Sequence, residues 1–227
     1  MSECWLIIET SSRGGQVGLA VDGVIAHSAQ LDPTRRNNRD LAPTTSALLQ
    51  AGGFTPKQLA GVMVSQGPGS FTGLRVGVMS GKMLAYATGC KLIAVPTFWT
   101  IAAQTPAQFE QVEVIADGLQ GLVYAQRFHR TADRWDATEP LHLEPATTWV
   151  ARLTPAVCVT GPGVILHDAS IPQNIPRAAV TNRGPSLQAL FQIGSRLPPL
   201  ARGDLMQLEP LYLRPSSAEE QAARAGK

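Results

Sequence analysis

The sequence is poor in the residues that build metal and disulfide sites. Three cysteines, Cys4, Cys90 and Cys158, and four histidines, His27, His129, His142 and His167, are spread over 227 residues. The cysteines are odd in number, widely spaced and without a C-x-x-C pair. That excludes a disulfide framework and a cysteine-held zinc, and it fits a reducing cytoplasm. No two histidines stand at metal-pair spacing, which argues against a catalytic iron or zinc. No apolar run approaches the roughly 20 residues of a membrane span. The opening MSECWLIIE carries an acid and no basic stretch, so no signal peptide is expected. A net charge of +2 is too small to mark a nucleic-acid or membrane surface. The most informative gap is in acid. No Asp or Glu occurs from Leu41 to Phe109.

What is present is ordinary for a cytosolic globular protein: 44% hydrophobic and 16% charged residues. The length allows one large domain or two small ones. WLIIE (5–9), QVGLAV (16–21) and VIAHSAQ (24–30) predict three consecutive strands, with tight turns at 13–15 and at Asp22-Gly23. A helix follows over about 40–50, then a buried-type strand, LAGVMVS (59–65), then a long helix and the short strand KLIAV (91–95). Three antiparallel strands followed by helix, strand, helix and strand is the order of a ribonuclease-H-like lobe. VEVIADGLQGLVYAQRF (112–128) restarts that pattern as two strands about an Asp117-Gly118 turn. The expected division is therefore 1–106, a reduced second lobe over 107–215, and a tail over 216–227 that reads as flexible.

The most distinctive stretch is SQGPGSFTGLRVGVMSGKMLAYATG (65–89), a Gly-Pro-Gly turn running into a helix. It is not a P-loop. Five residues separate Gly67 from Gly73, and Leu74 and Arg75 stand where lysine and a magnesium-binding hydroxyl belong. It also misses the dinucleotide fingerprint, because Thr72 occupies the third glycine position. The acid-free stretch removes a ribose partner, a local magnesium ligand and a local general base together. Ser70 reads as a helix N-cap rather than a nucleophile.

In the helix, Gly73, Gly77, Gly81, Ala85 and Gly89 recur every four residues. Interior glycine costs roughly 1 kcal/mol relative to alanine, so the bare ridge calls for a compensating close approach. Either it packs on the protein's own sheet, or it meets a partner. The second reading assigns Gly73, Gly77 and Gly81 to an interface. The adaptable neighbours Arg75, Met79, Lys82, Met83 and Tyr86 join them.

GPGSFTGLRVGVMSGKMLAYATG, with LIIETSS near the start, ADGLQGLVYAQRF in mid-chain and PLYLRP at 210–215, resembles the TsaB (YeaZ) family of tRNA threonylcarbamoyladenosine synthesis. The resemblance implies an actin/Hsp70-like α/β fold of two ribonuclease-H-like lobes, the second reduced. It implies a cytosolic, non-catalytic scaffold subunit that dimerises alone, pairs with the paralogous catalytic subunit TsaD and works with the ATPase TsaE. tRNA would be reached only through the complex. TsaD-like proteins carry H-x-x-x-H on the first-lobe helix, whereas this chain has RRNNRDLAP, with Asn37 where TsaB proteins often have His. No metal is expected. Active members of the fold bind phosphate and magnesium at an Asp-Gly hairpin. Here Glu9-Thr10-Ser11-Ser12 stands at the first turn and Asp117 at the matching second one. Glu9, Thr10, Ser70 and Asp117 thus outline a vestigial nucleotide site. No cofactor is required there, with room for weak ATP or ADP binding, mainly at a complex interface. Glu9 and Asp117 either face one cleft or only pin their own turns. Charged residues frequent in the family at the positions of Leu119, Gln120 and Leu122 are missing. The alternative is a stand-alone actin-like ATP-dependent kinase or transferase. A peptidase would need a Ser-His-Asp grouping or zinc ligands, and neither is found.

Overall fold

The computed structural model describes residues 2–12, 14–32, 37–132 and 134–213. The first lobe is built on β1 (Cys4–Glu9), β2 (Gln16–Val21), β3 (Val24–Gln30), β4 (Leu59–Gly67) and β5 (Lys91–Pro96), in the order β3-β2-β1-β4-β5. β1 pairs antiparallel with β2 and parallel with β4, and β4 pairs parallel with β5. Asp22 and Gly23 both take positive φ at the β2–β3 turn, as a tight hairpin requires. This is the ribonuclease-H-like order expected from the sequence.

Alternation along β1 sends Cys4, Leu6 and Ile8 to one face of the sheet and Trp5 and Ile7 to the other. The first face is covered by α1 (Asn37–Gly52) and α2 (Phe71–Thr88), whose Leu41, Leu48, Leu49, Val78 and Ala85 join the same core. Asn37 opens α1, and its side chain lies outside the described residues.

α3 (Thr97–Ala102) leads from β5 to a second sheet. That sheet comprises β6 (Gln111–Asp117), β7 (Leu122–Thr131), β8 (Arg134–Ala137), β9 (His142–Pro145) and β10 (Val157–Thr160), with α4 (Ala146–Ala151) between the last two. Its order, β10-β6-β7-β8 with β9 on β7, repeats the first four positions of the first sheet and stops there. The second lobe is reduced in this concrete sense. One face packs Phe98 and Ile101 of α3 against Val112, Val114 and Phe128. The other packs Trp149 of α4 and Val164 of α5 (Val164–His167) against Ile115, Val123 and Val159.

Across the second face, Glu113 is fully buried mid-strand and heavily bonded. It accepts from Arg127 Nη2 at 2.6 Å, Trp149 Nε1 at 3.1 Å and Arg152 Nη1 at 3.2 Å. A buried carboxylate is tolerable only with such pairing.

The chain then returns to the first lobe, which corrects the expected contiguous second lobe over 107–215. α6 (Leu187–Gly194) places Leu187 and Leu190 on the Trp5, Ile7, Met63, Ile93 and Val95 face. Leu205 and Leu208 enter the opposite core, beside α2. The reason is topological. Three strands of the first sheet run parallel, and parallel strands need cover on both faces.

Candidate functional site

Two neighbouring features carry the site: the turn after β1, and helix α2 with the segment laid along it.

The turn is closed on itself. Glu9 ends β1 fully buried. Its Oε1 accepts from the Ser11 amide at 2.6 Å and from the Ser11 hydroxyl, and its Oε2 accepts from Ser12 Oγ at 2.8 Å. Burial pushes the Glu9 carboxyl above its ordinary range, against the opposing pull of these donors and of Ser65. Ser65 Oγ at the end of β4 accepts from the Thr10 amide at 3.1 Å. Thr10 is fully buried, and its hydroxyl makes no hydrogen bond among the described residues.

The Gly-Pro-Gly turn packs straight onto this one. Ser70 N donates to Ser11 O at 2.7 Å, and a Cβ on Gly69 would collide with Ser11 O. Ser70 Oγ accepts from the Gly73 amide at 3.3 Å, so Ser70 caps α2. Gly67 takes φ +120°, where a side chain would press on Leu211 O at 3.0 Å.

Asp117, the second-lobe counterpart, is solvent-exposed, and its Oδ1 accepts from the Leu119 amide at 2.8 Å. A fully buried carboxylate cannot line an open cleft, so Glu9 and Asp117 do not face one cleft together. Each pins its own turn. Leu119 and Gln120 in that hairpin sit at φ 62° and 54°, a left-handed conformation that side chains disfavour.

Helix α2 decides the fate of the glycine ridge. Gly77 and Gly81 are buried against the protein's own sheet. A Cβ on Gly77 would collide with Thr10 Oγ1 and reach Ile8 Cγ2 at 3.4 Å. One on Gly81 would come within 2.6 Å of Val64 Cγ1 and 3.1 Å of Leu92 Cδ1. Gly73 is buried in the first turn. These three glycines are therefore core, not interface. The compensation that the ridge demanded comes from the sheet.

Lys82 is corrected too. It is buried, and its Nζ donates to Met206 O at 2.8 Å and Leu208 O at 2.9 Å. Arg75 is exposed, and its guanidinium lies 4.4 Å from the Phe71 ring centroid and 5.9 Å from that of Tyr212. Three side chains of the expected interface stay free on the outer face: Met79 at 53%, Met83 at 58% and Tyr86 at 66% exposure.

Sequence reasoning missed two things here. Residues 205–213 lie along α2 like a strap, with Tyr212 stacked on Phe71 at 4.6 Å, Leu211 N donating to Gln66 O at 2.8 Å, and Gln66 Nε2 donating to Glu209 O at 3.3 Å. The PLYLRP motif was the available signal. The Glu113 cluster was the other, signalled by a lone acid inside the apolar strand VEVIA.

Fold and site together define an actin-like, two-lobed α/β protein whose turn after β1 is closed by its own Glu9 carboxyl group. Comparison with known proteins places it further. A family model, TsaD: tRNA N6-adenosine threonylcarbamoyltransferase, matches residues 31–155. The chain is similar to tRNA threonylcarbamoyladenosine biosynthesis protein TsaB from Bacillus subtilis, 34% identical over 82 residues, and to that from Escherichia coli, 28% identical over 127. The first match covers 36% of each protein; the second covers 55% of this chain and 54% of the relative. The chain thus spans between about a third and a half of the length of these curated relatives. The solved structure of YeaZ from Pseudomonas aeruginosa superposes with a TM-score of 0.76 at 20% identity, covering 93% of this chain and all of that one. The chain belongs to the TsaD family.

Proposed function

We propose that the chain is a non-catalytic subunit of the machinery that makes N6-threonylcarbamoyladenosine in tRNA. It pairs with a TsaD-like catalytic subunit, works beside a TsaE-like ATPase in the cytoplasm, and self-associates when alone. tRNA is reached only through the complex. The names of its curated relatives support the pathway. One observation carries the non-catalytic role: the buried Glu9 carboxylate already holds the Ser11 and Ser12 donors of its turn. A phosphate arriving there would meet carboxyl oxygens and spent donors, where a working turn offers free N–H groups. Nucleotide contact is then weak and falls mainly at a subunit interface. The partner face is the exposed side of α2, through Met79, Met83 and Tyr86.

Reconstitution tests this. With the TsaD-like and TsaE-like subunits of the same genome, formation of the modified nucleoside on tRNA should require this chain. Alone, it should hydrolyse ATP well below about 1 per second, the low end of enzyme turnover. Faster turnover by the isolated chain, abolished in Glu9→Gln, would establish a stand-alone kinase or transferase instead. Unchanged nucleoside levels after depletion of the chain in cells would remove the pathway assignment.

A further inference from the structure

We propose that His142 is a proton-operated selector in the second lobe, holding Arg152 when neutral and Glu144 when protonated.

The two ring nitrogens have different neighbours. His142 Nδ1 lies 3.0 Å from the backbone carbonyl of Pro140, and a carbonyl has no hydrogen to give. Nδ1 therefore carries a hydrogen in either charge state, and Nε2 is the nitrogen that gains or loses one. Nε2 stands between two groups of opposite kind. Glu144 Oε1, an acceptor, is 3.1 Å away, and Arg152 Nη2, a donor, is 3.5 Å away. A bare lone pair on Nε2 suits the arginine, whereas an Nε2–H suits the carboxylate. One nitrogen cannot serve both, and a proton exchanged with solvent decides between them.

The surrounding charges leave that decision to His142. Burial pushes the Glu144 carboxyl up, but the hydrogen bonds and charges of Arg152 and His142 bring it below its ordinary range. Glu144 thus stays ionised where histidine changes charge, between about pH 5 and 8, and Arg152 stays cationic. The other charged groups of the cluster are Glu113 on β6, Arg127 on β7 and Glu139 ahead of β9. Arg127 donates to Glu113 at 2.6 Å and lies 3.9 Å from Glu139. On β7 the residue opposite His142 is Ala125, which carries no charge. At 33% exposure, the His142 side chain is open to solvent protons.

The choice reaches the core through Arg152, which caps the end of α4. Its Nη2 donates to Glu144 Oε1 at 2.6 Å and also meets Glu113 Oε1, the atom that accepts from Trp149 Nε1. With His142 neutral, Arg152 ties both His142 and Glu144 of β9 to that helix end. With His142 charged, the imidazolium pairs with Glu144 and repels the guanidinium, which leans further onto Glu113. Protonation thereby loosens β9 from α4 and alters the charge beside the buried Trp149 indole.

The test is an NMR titration of the full-length chain from about pH 5 to 8. It follows the His142 ring, Arg152 Nε–H and Trp149 Nε1–H. All three should move with one midpoint, and the Arg152 and Trp149 responses should vanish in His142→Gln. Amides of residues 142–145 should exchange about threefold faster in the protonated state, once corrected for the intrinsic effect of pH. In His142→Gln that difference should disappear.

Arg152 and Trp149 signals that stay flat while the His142 ring titrates would overturn the proposal. His167 is the rival source of a Trp149 response, since its ring meets Trp149 edge-on at 6.1 Å. A response that persists in His142→Gln and is lost in His167→Gln would assign the effect to His167 instead. Should His142→Gln fail to fold, Glu144→Gln decides. Without the carboxylate the His142 midpoint should fall to lower pH, and an unchanged midpoint would show that Glu144 is not its partner.

Discussion

On the inner side of α2, Gly77 and Gly81 bring the helix backbone down onto Thr10, Ile8, Val64 and Leu92. On the outer side, Met79 and Met83 stand more than half exposed. The two sides share one 18-residue helix and opposite constraints. Volume is intolerable on the first because the side chains of Thr10, Ile8, Val64 and Leu92 already fill the space a Cβ would take. It is free on the second because nothing in the described chain covers it. Glycine and methionine at alternating positions of one helix thus separate a side packed within the chain from a side left exposed.

The largest test of that contrast is Gly77→Leu. Its side chain has no room beside Thr10 and Ile8, and overpacking of a well-packed core costs about 1–3 kcal/mol, occasionally more. We expect loss of the cooperative thermal transition, or a steep fall in its midpoint. A Gly77→Leu protein that melts like wild type but no longer associates would reverse the assignment of the two faces.

Met79→Asp probes the other side. Stability should move by no more than about 0.5 kcal/mol, as at exposed positions generally. Association, followed by sedimentation velocity or calorimetry, should weaken by about 2 kcal/mol, near 30-fold, as for a central anchor. Unaltered association would place the interface elsewhere.

Arg75→Ala falls between the two. The lost contacts with Phe71 and Tyr212 amount to about 0.5–1 kcal/mol of cation–π interaction. Faster amide exchange near Tyr212, with the global melt almost unchanged, is the expected signature. Equal exchange in both proteins would show that the rings hold each other without the guanidinium.

The mildest effect belongs to Glu9→Gln, behind the inner face. Burial raises the folded-state pKa of Glu9 above the ordinary carboxylate value. Its contribution to stability is therefore fully present below the unfolded-state value and is lost as pH rises through the raised folded value. Relative to the Gln variant, wild type should lose melting temperature as pH climbs from about 4.5 upward. Parallel profiles for the two proteins would mean that the Ser11 and Ser12 donors offset the burial completely.

Much of the first lobe could be read without coordinates. The hairpins of β1 to β3 announce themselves by alternation and by Asp22-Gly23, and α2 by its Ser70 cap, while Gly89, read as part of the ridge, ends the helix at φ +75°. Glu9 as an inward-turned carboxylate was half legible, since a longer acid beside three hydroxyl residues invites a closed turn. The signal failed after Phe128 because β8, β9 and β10 are four residues each, too short for an alternation pattern to stand out. They are strands because β7 and β6 offer edges, which no local window contains. Glu113 was illegible as a network for the same reason: Arg152 lies 39 positions away along the chain.

By itself, then, the sequence determined the ribonuclease-H-like order of the first lobe, the absence of acid around α2, and a helix with one bare ridge and one methionine-rich side. These follow from spacing, which survives in one dimension. Which surface would cover the ridge was left to the tertiary structure, because a row of glycines admits a sheet as readily as a helix. The structure placed β1 and β4 beneath it, buried Lys82 under carbonyls 124 and 126 residues away, and returned Leu187, Leu190, Leu205 and Leu208 to the cores of the first lobe. Contacts at that separation depend on where the whole backbone has already gone, and no local preference encodes them.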